Sequence, residues 1–247
     1  MKESAVDRIK KQYSVLASSS VDFLIRDCID PSVNRKQITV KNDVNCPRGE
    51  RSLKAQKYFN YCKQYISFYK SRSYQFLFCD YSLGRFNYEF DDNDHLVSYS
   101  LYWNPCPISL EYRKEMEDCN LDFSDYIDNT DDKETIELNN IVLRTPIRLD
   151  YVANYDGTNP EYHPSFHMHF QDKNTRVKTD NILSLYSYIL FVLENCYPDL
   201  YTSKDYQDQI NRIKALDKEA RQGFSIYPEK RNTNHGIKII SSFKVNY

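Results

Sequence analysis

Apolar positions at the start of the chain repeat at helical spacing. Val6, Ile9, Tyr13 and Leu16, continued by Phe23 and Leu24, predict a helix over about residues 4–28, with Ser18-Ser19-Ser20 as its weak point. Residues 30–50 contain Pro31, Pro47 and Gly49 and read as loop, apart from a short strand at 38–40. Leu53, Phe59, Cys62, Ile66 and Tyr69 predict a second helix over about 51–71. The period then shortens to two. Residues 74–80 and 85–90 are rich in aromatic and apolar side chains and flank a turn at Tyr81-Ser82-Leu83-Gly84. After a second turn at Asp92-Asn93-Asp94, Val97, Tyr99, Leu101 and Trp103 alternate with Ser98, Ser100 and Tyr102, the pattern of a half-buried strand. Pro105 and Pro107 stop it, so 74–103 predicts a three-stranded antiparallel meander.

The second half repeats the logic. Residues 109–119 suit a helix inside an acidic stretch whose remainder is expected to loop outward, and strands resume over about 136–152 with a break near Pro146. A long turn at 154–160 leads to a strand at Ser165–Gln171, and Asp172-Lys173-Asn174 turns into a shorter one at Thr175–Lys178. Thr179 or Asp180 is placed to cap an apolar helix, 182–196, ended by Pro198. Thr202-Ser203-Lys204-Asp205 opens a polar helix to about Arg221, and 237–245 reads as a final strand. The expected fold is α+β: one domain over 1–247, with a mainly antiparallel twisted sheet of about six to eight strands covered by N-terminal and C-terminal helices. Residues 1–72 form its helical N-terminal part. The sheet occupies 73–180 with an acidic insertion at 109–135, and the last helices and strand follow over 181–247.

Composition narrows the function classes. With 5 glycines among 247 residues and neither a GxGxxG nor a GxxxxGK[ST] sequence, the chain lacks the usual nucleotide-binding loops and calls for no organic cofactor. The 22 Tyr and 13 Phe make ring packing the main source of core. No apolar run reaches membrane-spanning length and the N-terminus is charged, so a cytoplasmic protein with no membrane partner is expected. Seven scattered cysteines without a CxxC argue against a disulfide framework or zinc ribbon and suit reduced, mostly buried thiols. The net charge of −2 hides a split: Arg35–Arg72 holds ten Lys/Arg against two Asp/Glu, whereas Asp80–Glu137 holds four against sixteen. Such a split marks two partner faces, or solvated surfaces that offset one another.

Candidate chemistry concentrates in Ser165-Phe166-His167-Met168-His169-Phe170-Gln171. Strand alternation sends Phe166, Met168 and Phe170 toward the core, and His167, His169 and Gln171 to the other face. Upstream, Ile147, Leu149 and Tyr151 alternate with Arg148 and Asp150. Antiparallel pairing of the two segments would place Arg148, Asp150, His167 and His169 side by side, with His163 just before. Histidines at i and i+2 lie about 6.5–7 Å apart at Cα and can share a divalent metal, with Asp150 or His163 as third ligand. Equally, His167 and His169 can act as acid and base on a phosphodiester while Arg148 holds its oxygens. The plain structural alternative is a polar sheet face with an Arg148–Asp150 ion pair. A separate candidate is the basic, aromatic helix, where Arg51, Lys54, Lys57, Lys63 and Lys70 interleave with Tyr58, Tyr61, Tyr65 and Tyr69. Nucleic acid could bind there through phosphate attraction and base stacking. The alternative is an amphipathic helix with half-buried rings and lysine tails in water.

Three segments together carry a resemblance: Ser98-Tyr99-Ser100-Leu101-Tyr102-Trp103-Asn104-Pro105-Cys106-Pro107, Arg148-Leu149-Asp150-Tyr151, and His163-Pro164-Ser165-Phe166-His167-Met168-His169, followed by an apolar helix closing in Tyr197-Pro198. In this order they resemble a bacterial family catalogued as domain of unknown function 2290, over about residues 10–200. Residues 115–137 and the tail after Tyr201 fall outside the resemblance. It implies that the arginine–aspartate strand and the histidine segment matter here. It also implies an accessory role beside mobile-element or phage-defence genes, such as a defence or toxin–antitoxin module with a protein partner encoded nearby. The sixteen-to-four acidic excess is the feature such a partner would meet.

Overall fold

The computed structural model describes residues 3–18, 21–43, 54–119, 123–129, 144–153, 166–170, 177–178, 184–222 and 225–226. Helix α1 (Ala5–Ala17) is capped by the Ser4 side chain, which accepts from the Asp7 N–H. It ends eleven residues before the predicted limit: Ser18 N–H closes on Ser14 C=O, and Ile25–Cys28 is strand β1. Val21 and Leu24 are as buried as a helix face would make them, but as part of a turn, since both Leu24 and Ile25 N–H donate to Val21 C=O. Short strands β2 (Ser32–Val33) and β3 (Gln37–Thr39) form a hairpin, and α2 (Lys54–Lys70) follows. The predicted meander is present as β4 (Phe76–Phe78), β5 (Leu83–Phe90) and β6 (His95–Asn104). Helices α3 (Leu110–Asp118) and α4 (Phe123–Asn129) come next, then β7 (Ile147–Val152), β8 (Phe166–Phe170) and β9 (Val177–Lys178). Helices α5 (Leu185–Cys196), α6 (Pro198–Thr202) and α7 (Gln207–Gln222) lead to β10 (Ser225–Ile226).

These strands form one sheet in the order β1-β4-β5-β6-β7-β8-β9, with β3 added alongside β5. Every pairing is antiparallel except that of β10 with the start of β6. The α+β class with a mainly antiparallel sheet is therefore the fold; among the described residues the sheet has ten strands, three of them only two residues long, and the seven longer ones fall within the expected six to eight.

Alternation separates the two faces. Phe76, Phe78, Phe86, Tyr88, Tyr99, Leu101, Leu149 and Tyr151 bury into one cluster with Ile9 and Tyr13 of α1, Ile189 and Val192 of α5, and Ile210 and Ile213 of α7. On the opposite face, Leu77 and Leu83 join Tyr65, Ile66 and Tyr69 of α2, Met116 of α3, and Phe123 and Ile127 of α4. The acidic segment thus does not simply loop outward: α4 turns two apolar residues inward and leaves Asp125 in solvent. Gly84 lies inside β5 and not in the turn before it. A Cβ there would stand 3.0–3.1 Å from Phe78 and Phe76, so the absent side chain makes room for those rings. The turn itself uses Tyr81 at φ 63° and an Asp80 carboxylate that accepts from Ser82 N–H.

Other expectations shift for local reasons. Ser184, and neither Thr179 nor Asp180, caps α5, accepting from Ser187 N–H. Ser184 and Ser187 also donate to the buried Asp217 of α7, which ties α7 to the foot of α5. Pro198 begins α6 as well as ending α5, because its missing N–H is harmless in a first turn. Of the six described cysteines only Cys62 and Cys106 are buried, fewer than expected. The predicted strand portion at 136–143 and the final strand at 237–245 lie outside the described residues. Among the described residues no helix is long and apolar enough to cross a membrane.

One polar knot joins segments far apart in the chain. Asp80 accepts from Tyr197 Oη at 2.6 Å and pairs with Arg144 at 2.5 Å, while Arg113 donates to the Asp80 backbone carbonyl. Arg144 also lies 4.8 Å over the Trp103 ring. Burial pushes the Asp80 carboxyl up, but Tyr197, Arg144 and Ser82 more than offset it and hold the group below its ordinary value. The sign follows from this depression. The stabilisation is complete above the unfolded carboxylate value, about 3.9, and is lost as pH falls below it through the folded value. Tyr197→Phe removes one donor, so acid unfolding followed by circular dichroism is expected to begin at higher pH than in the parent. An unchanged acid midpoint would show that Tyr197 does not supply this stabilisation.

Candidate metal centre

The strand pairing predicted for the histidine segment is present, in a register that fixes the site. Arg148 lies opposite His169 and Asp150 opposite His167, and on the other side of β7 Asp150 faces Ser100 while Arg148 faces Tyr102. Because strand neighbours on one face stand close together, these residues of β6, β7 and β8 form one polar patch. The opposite face anchors it: Phe166 stacks on Tyr151 at 4.4 Å between ring centroids, and Phe166 and Met168 pack against the main core. A core face this apolar leaves the histidines no choice of side.

Asp150 is the centre of the patch. Its Oδ2 lies 3.2 Å from His169 Nε2, 3.7 Å from His167 Nε2 and 2.7 Å from Arg148 Nε. Its Oδ1 accepts from Ser100 Oγ at 2.8 Å, which orients the carboxylate so that Oδ2 faces the imidazoles. The two imidazole rings meet edge to face, with centroids 4.8 Å apart. His167, His169 and Asp150 are 2%, 5% and 8% exposed, and the Arg148 side chain, at 35%, is the member that reaches solvent. The Arg148 Nε–H is not aimed at the oxygen it approaches, so the pair is ionic without a hydrogen bond. The Arg148 guanidinium also lies 5.9 Å from the Tyr102 ring centroid, and Arg85 lies 5.6 Å from the same ring.

One ligand atom from each of Asp150, His167 and His169 can be chosen so that all lie within 4.8 Å of one another. Ligands about 2.0–2.1 Å from a tetrahedral ion stand about 3.3–3.4 Å apart. The 3.2 and 3.7 Å separations straddle that value. Two imidazoles and one carboxylate suit zinc, iron, manganese or cobalt better than magnesium or calcium. His163 and Gln171 lie outside the described residues.

A known family covers the same residues. The match to the uncharacterized conserved proteins of DUF2290 runs over residues 24–235. The chain belongs to the DUF2290 family. No curated protein and no solved structure matches it. The DUF2290 span starts later than the sequence resemblance suggested and extends further. It takes in the acidic segment and α7, both expected to fall outside, and contains the whole Asp150 patch.

Ser100 is a partner of Asp150 that residue type alone does not reveal. Its signal was present in the Ser98-Ser100-Tyr102 alternation, but only the pairing of β6 with β7 puts it against Asp150. The second sequence candidate fares differently. In α2, Lys63 and Lys70 are exposed, Arg51 lies outside the described residues, and so do the side chains of Lys54 and Lys57. Tyr65 and Tyr69 are buried, and Tyr65 Oη donates to Tyr81 C=O at 2.6 Å. Tyr61 Oη donates to Pro105 C=O. These rings hold α2 to the sheet and are not presented for stacking on bases.

Proposed function

We propose that this DUF2290 protein is a metal-dependent enzyme acting on phosphodiesters, with one divalent transition-metal ion held by Asp150, His167 and His169. The convergence of three buried ligand atoms on one sheet face carries this reading. Such an ion would lower the pKa of a bound water and polarise a phosphoryl oxygen. Three protein ligands leave a coordination position for that water or the substrate. Ser100 acts through Asp150 as a positioning residue, and Arg148 supplies the positive charge a phosphodiester requires.

Metal analysis and Co²⁺ absorption titration test this. The purified chain is expected to take up one equivalent of Co²⁺ with a low-symmetry visible spectrum, and His167→Ala or Asp150→Ala to abolish it. Ser100→Ala should weaken uptake by about 10–100-fold, the usual effect of losing a partner that orients a ligand. Hydrolysis of bis(p-nitrophenyl) phosphate should appear with metal and vanish with chelator. Equal, substoichiometric Co²⁺ binding by the parent and His167→Ala would end the proposal.

A second reading keeps the protein as an accessory component of a defence or toxin–antitoxin module. Its support is the exposed row Glu111, Glu115, Asp118 and Asp125 on α3 and α4, beside Leu110, which is 51% exposed. A basic protein partner encoded nearby would dock there. Co-expression with such a neighbour should give a complex that Glu111→Lys with Glu115→Lys weakens, and a chain that purifies alone and monomeric speaks against this reading.

A further inference from the structure

We infer that Arg148 is an internal stand-in for the metal ion, and that metal binding releases it to recognise an anionic phosphoryl or phosphonyl group; this rests on the metal reading above. Among the described side chains, the guanidinium beside the Asp150 carboxylate is that of Arg148, 2.7 Å from the oxygen that faces both imidazoles. That oxygen is also the one a metal would use, so the two cations compete for it. Arg148 is suited to yield. Its contact is monodentate and lacks a directed hydrogen bond, and its side chain reaches solvent. Among the described residues, its guanidinium nitrogens make no hydrogen bond. Arg85 on the same face is the contrast: its Nη2 is taken by Asp43 at 2.9 Å and Ser73 at 3.2 Å. Asp150 does not depend on Arg148 for its orientation, because Ser100 holds Oδ1.

Charge then dictates what the loaded site accepts. A dication, one carboxylate, two neutral imidazoles and one guanidinium sum to two positive charges in a largely buried patch. An anion bridging the ion and Arg148 relieves the repulsion between them. The Tyr102 ring at 5.9 Å keeps the guanidinium beside the site once it leaves Asp150. Metal and anion therefore bind with positive coupling, and linkage requires each to raise the affinity of the other by the same factor.

The experiment is calorimetric titration of the full chain with Co²⁺ and with phenylphosphonate, each alone and in the presence of the other. In the parent, phenylphosphonate should tighten Co²⁺ binding by about 5–100-fold, and Co²⁺ should tighten phenylphosphonate by the same factor. Arg148→Ala should bind Co²⁺ more tightly than the parent, by about tenfold, and lose the coupling. Arg148→Lys keeps the charge and the fold but not the planar fork. It should hold Co²⁺ within about threefold of the parent and bind phenylphosphonate at least about tenfold more weakly. The inference is overturned if Arg148→Ala weakens Co²⁺ as Ser100→Ala does, since Arg148 would then only position Asp150. It is equally overturned if phenylphosphonate binds both variants as it binds the parent. Failure of the parent to take up Co²⁺ at all would sink the metal reading itself and this inference with it.

Discussion

Everything distinctive about this chain depends on the register in which β6, β7 and β8 are paired. A strand shifted by one residue turns each of its side chains to the other face. Such a slip of β8 would send His167 and His169 into the cluster built by Tyr99, Leu149 and Tyr151, and Phe166 and Met168 out of it. The apolar face forbids this, since burying two imidazoles among rings without partners costs far more than any loop can return. The core therefore aims the polar face as a consequence of its own packing. The distances around Asp150 are inherited from Phe166 lying on Tyr151.

That dependence explains what could be read from residues alone. Alternation in Phe166–Phe170 and from Ile147 to Tyr151 is strict, and with a turn-like connection it leads directly to antiparallel pairing and to a shared face for Arg148, Asp150, His167 and His169. The meander was equally legible, because its aromatic residues recur every second position between turn signals. Less legible were features where one pattern serves two structures. Val21 and Leu24 keep helical spacing yet sit in a turn, since tertiary burial rewards apolar side chains in either conformation. Tyr65 and Tyr69 look like a stacking platform in a basic sequence. Only the presence of a second apolar cluster on the far side of the sheet reveals them as core. Ser100 is invisible as a site residue until strand order is known, because a serine on the polar side of a strand is ordinarily just solvated.

The sheet's second face changes character along its width. Toward β4 it is an apolar interface with α2, α3 and α4, through Leu77 and Leu83. Across β5 and β6 it becomes a row of cations and rings, with Tyr102 between Arg85 and Arg148. At β7 and β8 it is the Asp150 patch. This gradient gives α2 a structural reason to be aromatic as well as basic, since Phe68 lies 3.9 Å beneath the Arg85 guanidinium. Along this face the two guanidiniums are met by rings and carboxylates: Arg85 by Phe68, Tyr102 and Asp43, Arg148 by Tyr102 and Asp150.

The position of β8 within the sheet has a dynamic consequence. Its outer neighbour is β9, which pairs with it through His167 with Lys178 and Met168 with Val177, and β7 lies on its inner side. Strands toward the edge of a sheet open more readily in local unfolding than central ones, which open only with the whole domain. The strand bearing both histidines therefore stands nearer the margin of the sheet, whereas Asp150 sits one strand further in. Any ligand that binds Asp150 and the histidines together would cross-link margin to interior and stiffen the edge of the fold as it does so.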